Sequence, residues 1–234
     1  NETGKSFKAV VDGITEIDSE AGDGTDTGAD TLNMSGKGIT DNGLTVLCNE
    51  LRVSTNLQGL LLNNNVIGFE GVTGLCGALP VLSQLHTLNL AFNRLDSRAA
   101  SAIANTIKSH SFNAPLTTLL LDHNEISDQG AIDLASMLSN NTTLKTFWLD
   151  HNHVQAGGAD ALLESLVATD SVTSFGLVGN NINGPKLGKS LGLLPAVCVC
   201  PSPNAQLFSL YLSLFSLSLC RLCPRPSEKT LHNL

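Results

Sequence analysis

Cations are scarce in this sequence. Thirteen Lys and Arg stand against 21 Asp and Glu in 234 residues, a formal net charge of −8. The cations that exist are scattered. Nucleic-acid binding needs clustered cations to replace phosphate counterions, so no nucleic-acid partner is expected. Aromatic residues make up only 4%, with a single Trp, Trp148. Nor is there a stretch of the roughly 20 apolar residues that a membrane helix needs. The nearest run, Leu207 to Leu222, is shorter and broken by Ser, and no membrane span is expected. No nucleophile constellation, phosphate loop or cofactor fingerprint stands out. Gly-rich fragments such as GDGTDTG lack the strand before and helix after that would give them meaning. Neither an enzymatic activity nor a cofactor is therefore expected. No signal or transit peptide is visible at the start, and a chain beginning at Asn1 without Met reads as a fragment. Six Cys in a chain of this length do not force a disulfide framework, so a reducing, cytoplasmic setting is expected.

What the sequence does have is a repeat. The pattern Leu-x-x-Leu-x-Leu-x-x-Asn-x-Leu, with any aliphatic allowed for Leu, begins at Leu57, Leu85, Leu116, Leu144 and Val172, with Phe147 and Phe175 filling one Leu slot. A weaker copy begins at Ala29, with Lys37 in place of Asn. Successive starts lie 28 residues apart, except for a step of 31 that falls on SHSFNAP, a loop by composition. Behind each copy an apolar pair recurs at helical spacing: Leu47 and Leu51, Leu75 and Leu79, Ile103 and Ile107, Leu134 and Leu138, Leu162 and Leu166. A small residue precedes each pair, at Gly43, Gly71, Ala99, Gly130 and Gly158, letting a helix lie close on its neighbour. Cys48 and Cys76 share a helical slot with Ala104 and Ala135, which reads as buried and inert.

These residues resemble leucine-rich repeat proteins of the ribonuclease-inhibitor type, whose units have about 28 residues. The resemblance covers about residues 29 to 195. It implies an α/β fold, a horseshoe solenoid with a concave parallel β-sheet and convex helices. The physics agrees, because one unit cannot bury its Leu face alone and neighbours must stack. The short amide of Asn can satisfy backbone groups where the chain leaves each strand. Asn65, Asn93, Asn124, Asn152 and Asn180 are therefore expected to form a structural ladder, which Lys37 cannot join.

The ends differ. Residues 1–28 lack the period and are expected to be an acidic flexible segment or a cap; Glu16 to Asp30 holds six acidic residues and no basic one. Residues 196–234 read as an irregular Leu/Ser/Cys/Pro-rich tail, either a terminal capping strand or an aberrant end. Cys198, Cys200, Cys220 and Cys223 suggest zinc ligands only weakly, because the first pair has a one-residue gap. The sequons at Asn140 and Asn141 matter only in a secretory compartment, and Asn is at home in a turn.

Because strand side chains alternate, the residues between the buried Leu define an outward surface. One row reads Asn33, Leu61, Asn89, Leu120, Trp148, Gly176; the next Ser35, Asn63, Ala91, Asp122, Asp150, Val178; beside it Gly36, Asn64, Phe92, His123, His151, Gly179. The echo Asp-His-Asn at 122–124 and 150–152 puts Asp122 beside Asp150 and His123 beside His151. Asp and His facing outward contribute nothing to the solenoid. A lone Trp flanked by charge resembles a binding hot spot. Phe92, Leu120, Asp122, His123, Trp148, Asp150 and His151 are thus the candidate partner-binding residues. Leftovers of duplication and metal binding with His153 are the alternatives, and no metal is assigned. The expected function is a non-catalytic scaffold that binds a protein partner on its concave face. The resemblance also admits a GTPase-activating protein similar to the Ran GTPase activators, with a small GTPase as partner, or the repeat domain of a NOD-like receptor.

Overall fold

The computed structural model describes residues 31–52, 56–109, 111–169 and 171–182, with the backbone of 198–199. The acidic segment, the Leu207 to Leu222 run and the four tail Cys side chains lie outside the described residues.

Strand and helix alternate along the chain: β1 Thr31–Asn33, α1 Asp41–Leu51, β2 Gly59–Leu61, α2 Phe69–Ala78, β3 Thr87–Asn89, α3 Ser97–Lys108, β4 Thr118–Leu120, α4 Asp128–Leu138, β5 Thr146–Trp148, α5 Ala156–Val167, β6 Ser174–Gly176 and β7 Cys198–Val199. A 3-10 turn, Leu79–Val81, follows α2. All strands pair in parallel in one sheet, in chain order, and each helix packs on the next. This is the α/β solenoid that the period implies. The register joins Leu60, Leu88, Leu119, Phe147 and Phe175 in one line. The step of 31 leaves the register intact, so the extra residues are absorbed outside the strands. Beyond the limit of 195 set by the period, β7 pairs Cys198 with Ser174. That step is only 24 residues.

The core lies between sheet and helices. Leu60, Leu62, Leu88, Leu90, Leu119, Leu121, Phe147 and Leu149 are fully buried, as are Leu47, Leu75, Ile103, Leu134 and Leu162 from the helices. Phe147 and Phe175 lie tilted with centroids 5.9 Å apart. Cys48 is buried, while Cys76 is only partly so; both are free. Burial pushes the Cys48 thiol up to about 11, so it remains protonated and inert at neutral pH.

Helix starts are shared between units. Thr40 and Asp96 cap their own helices, accepting from Gly43 N and Ala99 N. Gly68 and Gln155, which precede α2 and α5, make no side-chain cap. Instead Asp41 accepts from Gly68 N and Asp128 from Gln155 N, each at 2.6 Å, from the first turn of the helix one unit earlier. A carboxylate there also meets the positive end of the helix dipole. So close an approach requires glycine in the small-residue slot. A Cβ on Gly158 would lie 2.8 Å from Ala131 Cβ and 3.0 Å from Asp128 Cα.

Candidate functional site

The loops that leave the strands are organised by the five Asn residues. Asn65, Asn93, Asn124 and Asn152 are buried and Asn180 is half-buried. The Oδ1 of each accepts a backbone N–H of the preceding unit: Ile39, Ile67, Leu95, Ile126 and Val154, at 2.8–3.0 Å. Each Nδ2 bridges carbonyls of two units. Asn152, for example, donates to Leu149 O at 3.1 Å and to Leu121 O at 2.9 Å.

Held by this frame, the residue before each Asn takes an unusual conformation. Asn64, Phe92, His123 and His151 have φ of 58°, 54°, 54° and 51°. This is the left-handed region, where a β-carbon is strained and Gly is favoured. Gly36 and Gly179 occupy the same slot in flanking units, with φ of 66° and 72°. The turn throws the side chains outward in a column. Phe92 stacks on His123 with centroids 3.9 Å apart and planes 14° apart. His123 stacks on His151 at 4.3 Å and 29°. The column ends at Gly179, where an added Cβ would collide with the His151 ring.

Below this ridge runs the carboxylate row. Backbone pairing continues past the strands here, His123 N donating to Asp150 O at 2.8 Å, so Asp122 and Asp150 lie side by side. The Asp122 side chain is only 14% exposed. Its Oδ1 is buried with no hydrogen-bond partner, as is His123 Nδ1. Asp122 Oδ2 lies 3.7 Å from His123 Nδ1, beyond hydrogen-bond reach. Burial raises the Asp122 carboxyl above the usual carboxylate range against the pull of the two His rings. Asp150 is raised too, by burial and by the charge of Asp122, against a hydrogen bond from Val178 N. That bond, 2.6 Å to Asp150 Oδ1, corrects the expectation that the Asp-His pairs contribute nothing to the solenoid. The carboxylate leans over Gly176, where a Cβ would lie 2.7 Å from both its oxygens, and so reaches the next unit's backbone.

Trp148 is 37% exposed and Phe92 49%. Leu120, half-buried, is the register partner of Trp148. The Trp148 Nε1 donates to Ser174 Oγ at 3.2 Å. Ser174 belongs to a row the sequence reading passed over, with Thr87, Thr118 and Thr146, all half-buried. Alternation carried one step back along each strand would have found it. Among the described residues no three His, Cys, Asp or Glu side chains converge to hold a metal ion; face-to-face stacking sets the two His rings side by side. His153 belongs to the next turn, its N–H bonded to Ile126 O. Asn141 lies away from this site, in a turn where its Oδ1 accepts from Thr143 N and Leu144 N.

The carboxylate row has a thermodynamic consequence. A carboxyl whose folded pKa lies above its unfolded value, 3.8 for Asp, destabilises the fold once ionised. The penalty is absent below the unfolded value, grows as pH rises through the folded one, and is complete at neutral pH. Asp122→Asn is expected to stabilise the chain at pH 7 by about 0.5–2 kcal/mol, with no gain at pH 3. Thermal melts of both chains at the two pH values check this, and identical melts at pH 7 would refute it.

The model of the leucine-rich repeat family, described as Leucine Rich repeat, matches residues 82–104, 112–135 and 140–163. These matches carry β3, β4 and β5 whole and helices α3 to α5 in part. The chain is also similar to mouse (Mus musculus) proteins named NACHT, LRR and PYD domains-containing protein 1b. Alleles 4, 3 and 5 are each 35% identical over 103 residues, 44% of this chain. The match covers 11% of allele 4 and 8% of the other two, so the chain spans about a tenth of these relatives' length or less.

Proposed function

We propose, from the premise that this chain is a leucine-rich repeat protein similar to NOD-like receptors, that it is a non-catalytic scaffold binding a protein partner on the concave face. A protein-interaction repeat domain is what the repeats and the relatives support. The choice of face rests on one observation. Three consecutive units place a ring in a left-handed slot that Asn64 fills on one side and Gly179 on the other. Strain of this kind is kept where it serves a function. The exposed rings of Phe92 and Trp148 supply the large apolar contact typical of hot spots. The proposed interaction domain is residues 29–195, with a cytoplasmic setting in which Cys48 and Cys76 remain thiols. No helix among the described residues is long and apolar enough to cross a membrane.

The test compares two affinity baits, the 234-residue chain and its Phe92→Ala/Trp148→Ala variant. Loss of a specific partner with the variant, at least tenfold in recovered amount, is the expected result. Capture of the same proteins in the same amounts by both baits would move the function off this face. Recovery of a small GTPase would favour a GTPase-activating role. A second reading, the repeat region of a NOD-like receptor, is favoured by the 35% identity to proteins whose name joins LRR with NACHT and PYD domains. A full-length transcript encoding no nucleotide-binding domain would exclude it.

A further inference from the structure

The open face differs in charge from the rest of the chain. Its four outward rows, from Thr31 to Gly179, contain Asp122 and Asp150 and no Lys or Arg. Lys145 precedes β5 and Arg94 follows the Asn93 turn, outside these rows. The two carboxylates lie next to each other, and Asp122 Oδ1 is buried without a donor. That atom is closed to solvent, so a ligand meets the pair through Asp122 Oδ2 and the Asp150 carboxylate. Aromatic rings border the carboxylates: the stacked Phe92, His123 and His151 above, which show their edges, and the exposed Trp148 two residues before Asp150 on the same face.

One side chain answers all of these features together. A guanidinium is planar, stays charged, stacks on aromatic faces and presents its donors as a fork to carboxylates. A Lys ammonium matches the charge but neither the flatness nor the fork. An acidic segment would be repelled by the carboxylates, and a purely apolar one would cover them without a countercharge.

We propose that Asp122, Asp150, Trp148 and the Phe92–His123–His151 ridge form a subsite for an arginine side chain in a basic segment of the protein partner. The inference rests on the concave-face reading and narrows it. The guanidinium donates to Asp122 Oδ2 and Asp150 Oδ2 and lies against the Trp148 ring, and its charge relieves the repulsion between the two carboxylates. The rest of the segment runs across the sheet over the Thr118 and Thr146 row.

The single Trp makes the test direct, because all Trp emission comes from Trp148. The 234-residue chain is titrated with an acetylated, amidated pentapeptide of sequence Gly-Arg-Leu-Arg-Gly. Parallel titrations use versions with lysine, citrulline or glutamate at both arginine positions. The expected result is saturable change in emission with the arginine peptide, binding at least threefold weaker with lysine, at least tenfold weaker with citrulline, and none with glutamate. Asp122→Asn/Asp150→Asn is expected to weaken the arginine peptide at least tenfold. Its fold is checked by its melt. The acidic Glu16 to Asp30 stretch is common to both chains, so attraction to it cancels. Equal affinity for arginine and citrulline, which needs no variant at all, overturns the proposal. So does no saturation at millimolar peptide, or unchanged affinity in the folded double variant. A partner captured through Phe92 and Trp148 that the arginine peptide does not displace sinks the arginine subsite while the concave-face reading stands. Capture indifferent to both rings sinks the reading itself.

Discussion

Asn152→Leu is expected to lower the melting temperature of the chain by roughly 6–12 °C. Asn152 Oδ1 is the acceptor for the Ile126 N–H at 3.0 Å, and its Nδ2 donates to Leu121 O, Leu149 O and Asp150 O. Leu121 O and Leu149 O keep a second donor from Asn124 and Asn180, so their loss is partial. Ile126 is fully buried, and its N–H is left with nothing. A stranded buried donor costs about 1–3 kcal/mol, and weakening of the carbonyl bonds brings the total to about 3 kcal/mol. At this chain length 1 kcal/mol moves the midpoint by about 2–4 °C. Asn152→Asp provides a comparison that keeps the acceptor and loses the donors. Melting temperatures read by circular dichroism decide the matter. A shift under 2 °C for Leu would mean that water, not Asn152, serves the Ile126 N–H.

A comparable loss, about 3 kcal/mol, is expected for Gly158→Val. The added Cβ meets the Ala131 Cβ at 2.8 Å and the Asp128 Cα at 3.0 Å. Neither atom belongs to the end of a flexible side chain, so α5 must move away from α4. Overpacking of this kind costs about 1–3 kcal/mol, and displacing α5 also strains the cap that Asp128 gives Gln155 N. The neighbouring Gly157 provides the control. A Cβ there meets only Asp128 Oδ2, at 3.1 Å, and an exposed helix position gains up to about 1 kcal/mol on replacing Gly with Ala. Gly157→Ala is therefore expected to be neutral or stabilising. Equal melting temperatures for Gly158→Val and the parent chain would show that the helices have slack the structure does not contain.

Legibility in the sequence followed the reach of each interaction. The aliphatic rows and helical pairs serve one purpose in every unit, so selection for burial repeats them and the period exposes them. The shared helix caps were not legible. Asp41 and Asp128 look like ordinary first-turn carboxylates of their own helices, and only stacking brings them to Gly68 and Gln155. The left-handed slot left a trace in Gly36, Asn64 and Gly179 and in two His, a residue type enriched at positive φ, but Phe92 in the same column broke the pattern. Asp150 was read as a surface residue because a pattern of alternation gives direction and not reach. Whether the ridge receives a partner depends on chemistry outside the chain, which no period encodes. Strand β7 was legible only as an unplaced capping strand within 196–234, because its 24-residue step breaks the count.

The Asn column also has a direction. Every Oδ1 takes a backbone hydrogen from the unit before it. Trimming from the N-terminal side removes a unit whose hydrogens were being accepted and leaves the survivors' own N–H groups served. Trimming from the C-terminal side removes the acceptor: a chain stopped before Asn180 opens Val154, and one stopped before Asn152 opens Ile126. Shortened versions of this protein should thus tolerate loss of β1 and α1 far better than loss of the β6 turn. Protease attack that begins at the C-terminal side should travel inward, each cut exposing the next.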